Sequence, residues 1–288
     1  MSLYKGMDAD TLEAEYNLSK RRGVDNFAGV VERWLQRSAA HREASAARVD
    51  IAYGEGEREK LDYFYSGNPN GPMLFYIHGG YWQRGDKSMY SFVTEAFIKN
   101  GVSVVVINYN LTPSVRIGQI PPQIRKAIAW CYHNADELKY DRDQFHLSGH
   151  SAGGQLAAMM MATDWPAYDK QMPADVIRSG ILISGVFELE PVVHTSLNEG
   201  IEMDIPEAIA ESPTFIPPVT NAPQLVVYGG GETSEFRRQS IEYANKFRTT
   251  DRAMEIYEVP HNDHFDELER LAEDDSYFFQ KSLKLITT

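Results

Sequence analysis

Phe145-His146-Leu147-Ser148-Gly149-His150-Ser151-Ala152-Gly153-Gly154-Gln155-Leu156-Ala157-Ala158-Met159 is the stretch that decides the fold. A short apolar run leads into Gly149-His150-Ser151-Ala152-Gly153, and a helix-forming run leads out of it. G-x-S-x-G between a strand and a helix is the sequence form of a sharp turn that presents a serine. The two glycines serve the backbone: the turn is tight, and side chains at 149 and 153 would crowd neighbouring chain. The serine then stands at the strand end, beside the positive end of a helix. A Gly/Ser turn without chemistry is the plain alternative, and the flanking strand and helix argue against it. Ser151 is the candidate nucleophile.

Working outward, the same alternation repeats. Val49–Tyr53 and Lys60–Tyr65 read as a strand hairpin. Apolar runs follow at 73–77, 103–107, 144–147, 180–183, 224–228 and 253–259, with helical stretches at 88–99, 123–138, 155–163 and 235–248. Near-continuous apolarity is the mark of strands buried on both faces. Strands alternating with helices predict an α/β fold with a mostly parallel sheet covered on both sides. Its ligand site belongs at the carboxyl ends of the strands. Two segments stand outside the alternation. Residues 1–48 read as a helical N-terminal segment over the site, with an apolar stripe of Phe27, Val30, Val31, Trp34 and Leu35. Residues 187–219 hold several prolines and no convincing strand, and read as a cap or lid insertion. All of this belongs to one domain, 1–288.

The chain has 288 residues, 43% of them hydrophobic, with a formal net charge of −13. Nucleic acid and anionic membrane are excluded as partners, because phosphate binding needs clustered Lys and Arg. The one cysteine, Cys131, rules out an internal disulfide and a multi-cysteine metal site, and reads as a buried apolar residue. No secretory leader and no membrane-length apolar run is visible, so a soluble, cytoplasmic protein is expected. The expected partner is a small-molecule substrate, with a homodimer left open.

Three further motifs bear on chemistry. His78-Gly79-Gly80-Tyr81-Trp82 follows a strand, where an oxyanion hole needs free backbone N–H groups. Gly80, Tyr81 and Ala152 are the candidate donors, and His78 is read as structural. Pro260-His261-Asn262-Asp263-His264-Phe265 follows the last strand, where the general base belongs. His264 is the candidate, with His261 as the fallback. A metal reading of His261, Asp263 and His264 lacks further ligands, so neither metal nor cofactor is expected. The loop 229–236 must supply the acid and holds no aspartate. Glu232 is the first candidate and Glu235 the second, although Glu235 also suits a helix N-terminus without any catalysis. Trp82 and Tyr109 are candidate pocket walls, with ordinary packing as the alternative.

With these residues in hand, the chain resembles the kynurenine formamidase (arylformamidase) group of α/β-hydrolases, relatives of the hormone-sensitive-lipase esterases. The resemblance rests on His78-Gly79-Gly80-Tyr81-Trp82 with Gly85-Asp86-Lys87-Ser88, on Glu15-Tyr16-Asn17, and on Tyr109 with Leu111 and Pro113. It extends to Gly149–Gly153, Ser212-Pro213, Glu235–Ser240 and Asp263-His264-Phe265. It implies an α/β-hydrolase fold, hydrolysis of an aryl formamide to formate and an aryl amine, and some esterase activity. It also implies an aspartate where this chain has Glu232. A carboxylesterase or amidase acting on another small acyl compound, and a non-catalytic binding protein on the same fold, are the competing readings.

Overall fold

The computed structural model describes residues 2–288. Among these, eight strands form one sheet: β1 (Arg48–Ala52), β2 (Lys60–Phe64), β3 (Met73–Ile77), β4 (Ser103–Ile107), β5 (Phe145–His150), β6 (Ser179–Ile183), β7 (Gln224–Gly229) and β8 (Met254–Val259). Their order is β1-β2-β4-β3-β5-β6-β7-β8. β1 and β2 form an antiparallel hairpin, and β2 lies antiparallel on β4. From β4 to β8 every pairing is parallel.

Side chains alternate across the sheet with period two. Met73, Phe75, Ile77, Val105 and Ile107 feed the core on one face. Leu74, Tyr76, Val104 and Val106 feed the core on the other. Both faces must therefore be covered, which is why β3 and β4 are apolar at nearly every position. The helix after β5, Ala152–Met161, carries no charge and is buried on all sides.

Three helices precede the sheet: α1 (Ala9–Tyr16), α2 (Leu18–Arg22) and α3 (Val24–Ala44). α3 packs Val30 and Trp34 into the body and is pinned by Arg37 on Glu95 and Arg42 on the buried Asp62. The helix expected over 88–99 is cut down. Lys87–Met89 and Ser91–Thr94 are 3-10 turns, and only Glu95–Lys99 is α-helical. The cause lies in α3: the Ser38 hydroxyl donates to the Met89 carbonyl and accepts from the Phe92 amide. Long-range partners replace the local ladder there. The stretch expected over 123–138 starts earlier and breaks at Asn134, giving Ile120–His133 and Ala135–Leu138. No helix among the described residues is long and apolar enough to cross a membrane.

Candidate active site

β5 runs directly into Ser151, whose backbone sits at φ 59°, ψ −121°. This is a costly conformation for a residue with a Cβ, and it persists only when the surroundings enforce it. They do so here. The Ser151 amide donates to the Ile183 carbonyl at 2.8 Å, and its own carbonyl starts the following helix by accepting from Gln155. A Cβ on Gly149 would lie 2.1 Å from the Gly153 carbonyl oxygen, and one on Gly153 would lie 2.1 Å from that of Ile77. Only glycine fits either place.

The candidate base and acid stand on the loops after β8 and β7. His264 Nδ1 lies 2.5 Å from Glu232 Oε1. The other oxygen, Oε2, accepts from the Ser184 hydroxyl at 2.6 Å and from the Gly229 amide at 3.0 Å. A carboxylate held by three donors is fixed in place. Its contact assigns the proton to Nδ1 and leaves Nε2 to act as base. Phe236 and Phe265 stand edge-on to the imidazole. His261 is exposed on the turn, and Glu235 faces elsewhere. Glu235 accepts from Tyr16 Oη at 2.8 Å and from Arg238. Burial works against its charge, but Arg238 and Tyr16 hold it below the usual carboxylate range. The structure thus brings Glu232 to the histidine and uses Glu235 to tie α1 to the helix Ser234–Phe247.

The oxyanion loop is locked from below. The His78 ring is stacked between Tyr109 at 4.5 Å and Tyr90 at 5.4 Å, and its Nδ1–H donates to the Gly79 carbonyl. Burial pushes this imidazole down to about 4, so it is neutral. Gly80 takes φ 115°, and Tyr81 and Trp82 follow at φ 49° and 57°. Among the described residues, no acceptor meets the amides of Gly80, Tyr81 or Ala152. Three unspent N–H groups in these positions are what a developing oxyanion requires.

Ser151 and His264 open into a cavity of about 490 Å³. Its roof is the N-terminal segment, through Leu18, Phe27, Val31, Trp34 and Leu35, and Met89, Tyr90 and Phe265 complete the apolar lining. Two expectations need correction. Trp82 and Tyr109 are fully buried and do not line this cavity. Trp82 Nε1 donates to Gln155, and Tyr109 Oη donates to the His78 carbonyl, so both brace the oxyanion loop from behind. The 187–219 insertion contributes no residue to the cavity lining. Ser196 is held by Glu13 of α1, and the Leu197 carbonyl accepts from Gln83. The insertion buttresses the roof from the side. The placement of residues 1–48 over the site agrees with this lining, and the α3 stripe supplies four of its residues, Phe27, Val31, Trp34 and Leu35.

The resemblance motif Glu15-Tyr16-Asn17 acquires a reason. Glu15 caps the helix Ser234–Phe247 through the Ser234 hydroxyl and the Glu235 amide. The Tyr16 carbonyl accepts from Tyr81 Oη at 2.6 Å. Asn17 caps α2.

His150, His264 and Glu267 are the residues whose ligand atoms converge as a metal site would need, all within 4.8 Å of one another. The donor set does not suit a cation. His264 Nδ1 is committed to Glu232, and His150 Nε2 donates to the His264 carbonyl at 2.8 Å. Burial, with Glu232 nearby, raises Glu267 well above the carboxylate range.

A kynurenine formamidase from Danio rerio is 29% identical over 297 residues, 99% of each chain. One from Drosophila melanogaster is 27% identical and covers 94% of each chain. The chain belongs to the kynurenine formamidase-like α/β-hydrolases. The BD-FAE family model matches residues 62–178 of this hydrolase, from β2 to the segment before β6. A solved structure from Silicibacter sp. tm1040, described as a candidate thioesterase, has a TM-score of 0.82 at 31% identity, covering 96% of this chain and 99% of that one. This member of the group is a serine hydrolase.

Proposed function

We propose that the enzyme hydrolyses small aryl formamides of the N-formylkynurenine kind to formate and an aryl amine. The observation that carries this reading is similarity to kynurenine formamidases along 99% of both chains. The aromatic and aliphatic cavity beside Ser151 supports it, since an aryl group gains by leaving water there.

The chemistry is acyl transfer. His264 Nε2 takes the Ser151 proton as the oxygen attacks the formyl carbon. Glu232 stabilises the imidazolium. The amides of Gly80, Tyr81 and Ala152 receive the oxyanion. His264 then gives its proton to the departing amine, and a water activated by the same ring releases formate. The sequence of steps uses neither metal nor organic cofactor. The partner in this reading is the small-molecule substrate, and the setting is the cytoplasm, in keeping with the lone, buried Cys131.

A panel of N-formylkynurenine, formanilide, acetanilide, a phenyl thioester and 4-nitrophenyl acetate tests the reading. The formamide should exceed its acetyl counterpart in kcat/KM by roughly 10–200-fold, the scale set by one methyl group in a shaped site. Fast thioester or ester cleavage beside negligible formamide turnover would reject it. The second reading, a thioesterase or carboxylesterase, is favoured by the 31% identity to the Silicibacter protein.

A further inference from the structure

Behind the triad lies a second carboxyl group that the mechanism above does not use. Glu267 belongs to the helix Asp266–Leu271, is fully buried, and has no hydrogen-bond partner on either oxygen. A buried polar side chain left without partners costs free energy, so its presence beside a catalytic centre calls for a reason. Its neighbours come from every surrounding element. His150, at the end of β5, brings Nε2 to 3.5 Å from Glu267 Oε1. His264 has a ring nitrogen within 4.8 Å. Ser184, after β6, faces both Glu267 and Glu232. Tyr76 of β3 brings an unpartnered hydroxyl to the same neighbourhood, and Asp263 adds a second negative charge.

The directions of the hydrogen bonds fix which state of Glu267 is useful. The Ser184 hydrogen is spent on Glu232 Oε2, so Ser184 Oγ has only lone pairs to offer. The His150 Nε2 hydrogen is spent on the His264 carbonyl. An ionised Glu267 would set an acceptor against the Ser184 oxygen, beside Glu232 and with no Lys or Arg on it, since Arg22 is taken up by Asp263. The Tyr76 hydroxyl makes no hydrogen bond to it either, so no donor reaches an ionised Glu267, whereas a protonated one brings its own. Two carboxylates in a dry site do not both ionise, and the one with three donors keeps the charge.

We propose that Glu267 is a positioning residue of the hydrolytic site: carrying a proton, it backs Ser184 and leaves Glu232 as the one charged carboxyl group on His264. Its O–H donates to Ser184 Oγ, Ser184 donates to Glu232, and Glu232 accepts from His264 Nδ1. The chain polarises in one direction, each bond strengthening the next. No proton leaves Glu267 during turnover. The inference rests on the serine hydrolase mechanism and is independent of which acyl compound is the natural substrate.

Glu267→Gln and Glu267→Met test it, with 4-nitrophenyl acetate as substrate and active sites counted by titration with a serine-directed phosphonate. Gln keeps shape, neutrality and a donor, so kcat and the acid limb of the pH profile should match the parent. Met fills the space without a donor, so kcat should fall about tenfold with KM unchanged, the scale of one lost hydrogen bond. If Glu267 were an ionised counter-charge to the imidazolium, Gln would move the acid limb down by about one pH unit, and the proposal would be overturned. Full activity in the Met variant would reduce Glu267 to packing and overturn it as well. An infrared spectrum needs no substrate: the protonated carboxyl C=O band should be present in the parent at neutral pH and missing in Glu267→Gln. Its absence from the parent would also reject the proposal.

Discussion

The loops after β3, β5, β7 and β8 hold their side chains by directed hydrogen bonds, whereas the helical segment above them holds a cavity by apolar contact. Glu232 has three donors on two oxygens, and Gly149 and Gly153 admit no other residue. In the roof, Phe27 and Val31 are half-buried and Leu35 is exposed, with space beneath them. Directed contacts fix reacting atoms and tolerate no displacement. Apolar contacts fix a volume and tolerate exchange. Changes in the loops should therefore strike kcat, and changes in the roof should strike KM.

The largest expected effect is at Ser151. Ser151→Ala should lower kcat by about 10⁴-fold or more, read on any ester the parent cleaves, leaving only what the oxyanion hole and binding supply. An unchanged rate would remove Ser151 from the mechanism. Glu232→Gln comes next, at about 10³–10⁴-fold in kcat, because the wrong histidine tautomer is favoured. Glu235→Gln should lose less than about tenfold, as one charge-assisted hydrogen bond away from the histidine is replaced by a weaker one. Comparable losses in the two variants would erase the distinction between the acid and the tether.

The third effect is on stability. Burial holds His78 and His146 down to about 4, and holds His150 well below its ordinary value. Unfolded, each takes a proton near its ordinary value of 6.5. The unfolded state then binds more protons below 6.5, so this stability is complete above pH 6.5 and is lost as pH falls towards 4. Denaturant unfolding at about pH 5 should show a loss of about 2 kcal/mol for each of His78 and His146 relative to about pH 7.5, with His150 adding in the same direction. A flat profile over that window would mean the histidines are solvated. Smaller again is Phe27→Ala in the roof: KM should rise about tenfold with kcat near the parent's, as an aryl substrate loses part of its cover. A fall in kcat at constant KM would contradict the division between loops and roof. The smallest is Tyr81→Phe, which deletes the hydroxyl held by the Tyr16 carbonyl and should lower kcat about threefold to tenfold.

The sequence carried the machinery further than the cavity for a physical reason. Ser151, Gly149 and Gly153 announce themselves because the turn geometry leaves few residue types. His264 and Glu232 follow from chain order, each in the loop after its strand. Whether Glu232 or Glu235 meets the histidine depends on which way a loop turns, and only Ser184 and Gly229, distant from one another in the chain, decide that. Trp82 and Tyr109 look like pocket walls by type and neighbourhood. Their polar atoms are claimed by Gln155 and the His78 carbonyl, partners that no local pattern reveals. The α3 stripe was legible as a helix face and its segment as a cover over the site, but which of its side chains meet the cavity depends on how the segment folds back across the sheet.

The bond from Tyr81 Oη to the Tyr16 carbonyl has a bearing on redesign. The roof is fastened to the oxyanion loop there, and to the histidine loop through Arg22 on Asp263 and Phe27 on Phe265. An engineer who trimmed the first helices to admit bulkier compounds would gain room and release both halves of the reaction centre together. Broader scope in this scaffold has to be sought by exchanging side chains on α3, with the helix itself left in place.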